Sequence, residues 1–354
     1  VTATRTAQVA AVVALLLAPA GIGWAGQRSA LGPRHDVPGS ADVRAIAAAA
    51  PGPDQLVVLG YHDISPDPRS PQTVSPAEFA GQLAMLRAAG YRSARAADLL
   101  GGARPAGRRV AITFDDGARG QWTYADAALK RYGFTAIAFV VTGSVGTYPP
   151  YYLTWPHLRA MQASGRWEVE SRTDGLFRPV QIGPGRETGS PLFNRRWLPG
   201  PGRLEAMPEY EVRIRADLDR SRQSLTGHGF GDPRLVSVPD SVTAPNDERV
   251  ESSLATVLRE RFGAVLRDDP AARAVALQAG VISRIGVRRG TSADALYTRI
   301  TGRPAPAHLP SAPPIHAAAP PSWAARAQAA LAERIGPTGE TGSALAHALA
   351  GRLR

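Results

Sequence analysis

Short apolar runs alternate with amphipathic helical patterns from residue 56 to residue 266. Residues 56–59 (LVVL) form an apolar run that ends in Gly60-Tyr61-His62-Asp63, a buried strand with its exit loop. Ser75-Pro76-Ala77-Glu78 is a capping box with proline at the first helical position. Phe79, Leu83 and Leu86 then share one helical face, and Gly90 ends the helix. Further strands are expected at 109–114, 135–141, 167–170, 235–238 and 263–266. Helices are expected near 124–132, 154–161, 208–225 and 248–261. Strands that alternate with helices imply a parallel sheet with helices outside it. An open sheet and a barrel both satisfy that pattern.

The flanks differ from this core. Arg5 precedes an apolar run over residues 9–25, with a small-x-small sequence at Ala18-Pro19-Ala20. A charged start, an apolar stretch and such a site make an export signal. The run is slightly short for a spanning helix, which needs about 20 residues. Residues 1–26 are therefore read as a signal peptide or membrane anchor, and 27–54, rich in Pro, Gly and Ala, as a linker. The folded domain is placed at 55–300, followed by a Pro/Ala-rich tail with short helices over 301–354. An extracytoplasmic location follows, secreted or membrane-anchored.

The formal charge is +11, yet Lys130 is the only lysine and the arginines are scattered among acids and alanines. No basic run interleaves with aromatics, so nucleic-acid binding is not expected. The absence of cysteine excludes disulfides, iron–sulfur clusters and a thiolate nucleophile. Neither a serine-hydrolase elbow nor a nucleotide-binding glycine pattern is present.

The sharpest motif is Thr113-Phe114-Asp115-Asp116-Gly117, at the C-terminal end of an apolar strand. Ligand-binding groups gather at those ends in parallel α/β folds. One of two adjacent carboxylates can hold a metal while the other acts as a base on metal-bound water. An Asp-Gly surface turn is the plainer alternative.

T-F-D-D-G after a strand resembles the first motif of the polysaccharide deacetylase (NodB-homology) family. Residues 56–63 (LVVLGYHD) resemble its opening strand, 135–143 (TAIAFVVTG) the strand after the motif, and Pro239 its third motif. The resemblance spans roughly residues 56–266 and is greatest to the exported branch acting on N-acetylglucosamine polymers. It implies an α/β fold, a distorted (β/α) barrel with fewer than eight strands. It also implies zinc or another divalent metal on an Asp-His-His triad, Asp115 as catalytic base and Asp116 as the metal-binding carboxylate. The implied reaction is hydrolysis of N-acetyl groups on a cell-envelope or extracellular glycan.

The second motif departs from the family. Ser171 and Thr173 fit, but Arg172 stands at the first metal-ligand His position and Phe177 at the second. A guanidinium stays protonated and has no lone pair to give. Metal binding is therefore expected to be absent or weak, with Asp116 paired to Arg172. His62 is one substitute ligand, although a structural hydrogen bond is the favoured role. Arg234 is a candidate to reach Asp115, although an arginine on an exit turn is more often solvent-exposed, and Tyr151, Tyr152 and Trp155 are candidates to stack on sugar rings or to cap the core. Three functions stay open: a metal-dependent deacetylase, a catalytically inactive member that binds glycan or a partner protein, and an enzyme of altered chemistry built on Asp115 and Asp116.

Overall fold

The computed structural model describes residues 55–101, 106–239, 245–272, 277–278 and 280–307, with 309, 310, 312 and 315. The export segment, the linker, Asp240, Ser241 and most of the tail lie outside the described residues. So do His35, His308, His316 and His347. Among the described residues no helix is long and apolar enough to cross a membrane.

Seven strands close into a parallel barrel. They are β1 (Gln55–Tyr61), β2 (Arg108–Phe114), β3 (Ala136–Val140), β4 (Trp167–Ser171), β5 (Leu235–Ser237), β6 (Ala264–Asp268) and β7 (Val281–Gly286). Pairing runs β1–β2–β3–β4–β5–β6–β7 and returns to β1 through Leu59↔Ile285 and Gly60↔Gly286. The seam between β4 and β5 is thin, with the single register pair Val236↔Ser171. β7 lies beyond the region of family resemblance read from the sequence, and without it the sheet would be open.

Helices cover the outside. They are α1 (Pro76–Ala88), α2 (Ala96–Leu100), α3 (Asp126–Tyr132), α4 (Trp155–Ala163), α5 (Met207–Gly227), α6 (Arg249–Arg259) and α7 (Ala293–Thr301). The capping box at Ser75 forms as expected, with Glu78 N–H donating to Ser75 Oγ at 3.2 Å and Ser75 N–H to Glu78 Oε2 at 2.8 Å. Thr154 caps α4. The non-periodic stretch after β4 is built on two small hairpins, Val180–Gln181 with Thr188–Gly189 and Trp197–Leu198 with Arg203–Leu204.

Strand alternation sorts the side chains into two sets. Val57, Leu59, Val110, Ile112, Phe114, Ala138 and Val140 pack with α1, α3 and α4. Val58, Ala111, Ile137, Phe139, Leu235, Leu266 and Ile282 form a separate cluster that fills the barrel. One step further along the same strand faces the filling turns polar, with Thr113, Ser237, Asp268 and Arg284. Gly60 makes room there, because a Cβ on it would stand 2.9 Å from Asp268 Oδ1 and 3.3 Å from Arg284 Nε.

Candidate functional site

The C-terminal ends of the strands carry the residues the sequence singled out. Asp115 follows β2 and is fully buried; its N–H donates to Tyr61 O at 2.8 Å. Asp116 has φ of 69° and Gly117 of 77°, so the chain turns sharply through the left-handed region. That turn sends the two carboxylates apart. Asp115 points into the barrel, while the Asp116 side chain stays 30% exposed. Gln121 Nε2 ties the exit turns together by donating to Asp115 O at 2.7 Å and to His62 O at 3.0 Å.

Arg172 follows β4 and is buried. Its turn is held from outside: Asp174 N–H and Gly175 N–H donate to the Asp217 carboxylate of α5 at 2.8 and 2.9 Å. Thr173, at φ 69°, is a second non-glycine residue in the left-handed region, and such strain persists only where its surroundings impose it. Nη1 of Arg172 donates to Asp115 Oδ2 and, at 2.8 Å, to Ser237 Oγ. Its Nε lies 2.6 Å from Asp116 Oδ1 but is not aimed along a hydrogen bond, so this contact is one of charge. One guanidinium thus bridges both carboxylates, and the expected Asp116–Arg172 contact is present.

Arg284 of β7 completes the cluster and was not anticipated from the sequence. Nη1 and Nη2 donate to Asp115 Oδ1 and Oδ2 at 2.9 and 2.7 Å, the paired geometry that makes such contacts strong. Its Nε donates to Asp268 Oδ1 at 2.9 Å. Arg234 does not reach Asp115; it stands exposed where β5 begins, at the opposite end of the barrel, which is the commoner role expected of it. The backbone N–H groups of Arg234 and Leu235 both donate to Glu170 Oε2 at 2.9 Å. An arginine between Ile282 and Ile285, alternating with apolar positions and followed by Gly286, was the available signal.

Burial alone would push the Asp115 carboxyl up. Arg172 and Arg284 outweigh it and hold the group well below the usual carboxylate range. The Arg284 guanidinium is raised, with burial opposed by Asp115 and Asp268.

His62 reaches the same end. Its Nε2 lies 3.9 Å from Asp115 Oδ2 and 4.0 Å from Asp116 Oδ2, and its buried Nδ1 has no hydrogen-bond partner. Among the described residues the structural hydrogen bond expected of the ring is therefore not formed. His157, early in α4, is buried, with Nδ1 2.8 Å from Thr154 Oγ1. Phe177 lies against Arg178. Trp155 stacks on His228 with centroids 3.7 Å apart and packs on the core, which settles its role at the core edge. Tyr151 and Tyr152 behave otherwise. They meet edge to face at 4.7 Å, with Tyr148 exposed beside them. Arg119 N–H to Tyr151 O at 2.8 Å and Leu153 N–H to Gly117 O at 2.9 Å fasten this loop beside the Asp-Asp turn.

The donor set does not fit a metal. Among the described residues no group of three His, Asp or Glu side chains is arranged to hold one. A permanent cation already lies between Asp115 and Asp116. A divalent ion there would face the repulsion of Arg172 and find too few lone pairs.

A family model described as polysaccharide deacetylase matches residues 102–255. Over that span the chain is similar to the polysaccharide deacetylase family. Members of that family generally use a divalent metal, and the arginine in this site departs from that pattern. The fold is similar to that of a de-N-acetylase from Aggregatibacter actinomycetemcomitans, at 20% identity and TM-score 0.56, covering 66% of this chain and 94% of that one. It is also similar to IcaB from Ammonifex degensii, at 25% identity and TM-score 0.52, covering 70% and 97%. The BpsB deacetylase domain from Bordetella bronchiseptica is similar at 24% identity and TM-score 0.53, covering 68% and 99%. No curated protein sequence matches the chain.

Proposed function

We propose that this deacetylase-like chain binds an N-acetylglucosamine-containing glycan outside the cytoplasmic membrane without hydrolysing it. One observation carries the reading: the Arg172 guanidinium bridges Asp115 and Asp116, where a metal and its water would need both carboxylates. Asp115 is also a poor base in this setting. Both its oxygens accept from arginine, and its affinity for a proton is depressed. The tyrosine loop beside the site supports glycan binding, since aromatic faces suit the apolar faces of sugar rings.

A second reading, hydrolysis of N-acetyl groups with metal held partly by His62, is favoured by the approach of that ring to both carboxylates. Zinc titration separates the two. The expected result is equal, weak zinc uptake by the wild type and by Asp116→Ala, and no acetate release from an N-acetylglucosamine oligomer. Oligomer binding should persist in the wild type and weaken in Tyr148→Ala. Arg172→His with Phe177→His should raise zinc affinity, because Asp116 is already in place. Tight stoichiometric zinc in the wild type, lost in Asp116→Ala, would refute the non-hydrolytic reading and favour the second.

A further inference from the structure

The opposite end of the barrel carries a feature that the glycan site does not use. Arg87 in the last turn of α1, Arg92 in the short strand Arg92–Ser93 that pairs with β2, Arg95 before α2, and Arg109 at the start of β2 line one open hollow. Asp98 is the one acidic side chain among its lining residues. β2 is 7 residues long. The hollow therefore lies roughly 20 Å from the Asp115 site, at about 3.3 Å per residue.

These arginines are unlike most others in the chain. Arg195, Arg203, Arg213, Arg215, Arg222 and Arg261 all pair with carboxylates at 3.1 Å or less. In the hollow Arg95 alone has a carboxylate, Glu168 at 3.6 Å, and Arg109 donates to backbone oxygens. The Arg87 and Arg92 guanidiniums have no protein partner among the described residues. Clustered like charges without internal compensation cost folding free energy, and an external anion removes that cost. Arginine suits phosphate in particular, because its planar fork pairs with two oxygens at once.

The topology indicates where that phosphate resides. β1 pairs in parallel with β2 through Gln55↔Arg108 and Leu56↔Arg109. β1 therefore begins at the same end of the barrel as the hollow, and the apolar run at 9–25 precedes it in sequence. We infer that Arg87, Arg92, Arg95 and Arg109 form a docking face for the headgroups of anionic phospholipids. A barrel docked in this way turns the Asp115 end and its tyrosine loop away from the bilayer, toward polymer in the envelope. The face acts independently of what the site at the other end binds.

Co-sedimentation of the full chain with vesicles tests this. Phosphatidylcholine vesicles are compared with vesicles that also contain phosphatidylglycerol. Binding through the apolar N-terminal run is common to both and cancels in the ratio. The wild type should prefer the anionic vesicles, and added salt should erase the preference. Arg87→Gln with Arg92→Gln should lower that preference on the order of thirtyfold, about fivefold for each arginine near the surface. Neither side chain has a partner among the described residues, so the variant should keep the wild-type melting temperature. Arg186→Gln with Arg288→Gln removes the same charge from exposed positions elsewhere and should change the preference little. Equal partition onto both vesicle types would overturn the inference. So would equal losses in the two double variants, which would point to net charge alone. Loss of the preference on adding inorganic phosphate at constant ionic strength would mark the hollow as a soluble-anion site and likewise overturn it.

Discussion

Arg284→Met is the substitution that most directly probes the buried charge cluster. Arg284 is 1% exposed and gives two hydrogen bonds to Asp115, one to Asp268 and one to Thr113. Methionine nearly fills the same space but leaves Asp115 with a single cation in a fully buried position. Removing one partner from a buried ion pair costs about 3–5 kcal/mol. At about 2–4 °C per kcal/mol for a domain of this size, the melting temperature should fall by roughly 6–20 °C. Arg172→Met should cost less, about 1–2 kcal/mol, within the ordinary range for single substitutions. There Asp115 keeps the paired contact with Arg284, and Asp116 is exposed enough to be hydrated by water. Urea denaturation of Asp115→Asn, Arg284→Met and the double variant should give a coupling of about 1–3 kcal/mol. The pH response has a defined sign. The Asp115 carboxyl is depressed below its usual 3.8, so the unfolded chain takes up the proton first. The contribution is complete above the ordinary aspartate range and is lost as pH falls through it toward the folded value, and Asp115→Asn should flatten this loss. An Arg284→Met cost below about 1 kcal/mol, or an Arg172→Met cost equal to it, would refute the assignment of Arg284 as the principal counter-charge.

Burial pushes the Glu170 carboxyl up from 4.5 to about 7, against the two backbone N–H groups it accepts from. A raised carboxyl favours the fold below pH 4.5 and loses that contribution as pH rises toward about 7. Glu170→Gln keeps an acceptor, so its stability relative to wild type should rise across that window by on the order of 2 kcal/mol. The difference between the two proteins is the quantity to measure, because His157, lowered to about 4 by burial and Arg119, titrates over an overlapping range with opposite sign. Gly120→Ala should destabilise by about 1–3 kcal/mol in a denaturant titration, a typical cost of overpacking. Its Cβ would meet Ile64 O at 2.1 Å and Asp63 Oδ1 at 2.2 Å, and full stability in this variant would show that the turn before α3 yields easily.

The residues legible in the sequence and those missed differ in a physical way. Asp115, Asp116, His62 and Arg172 each stand at the end of an apolar run, and a parallel α/β alternation brings such ends together whatever the loops do. Their convergence could therefore be read without coordinates, as could the Ser75 cap, where one short segment contains all the interacting groups. Arg284 and Asp268 could not be found in that way. Their roles depend on β7 closing the barrel against β1, a contact between residues more than two hundred positions apart, and on the inward face of that strand. Arg234, weighed as a partner of Asp115 against the commoner exposed role, is exposed where its strand begins, whereas Arg284 lies within β7 near its C-terminal end. The same limit applies at the far end. Arg87, Arg92, Arg95 and Arg109 look scattered along the chain, and only parallel pairing of the strands, with α1 packed beside them, gathers them into one hollow. Charge that looks random in sequence thus separates in the fold into two kinds. One is neutralised inside the barrel around Asp115, and the other faces outward with little compensation among the described residues.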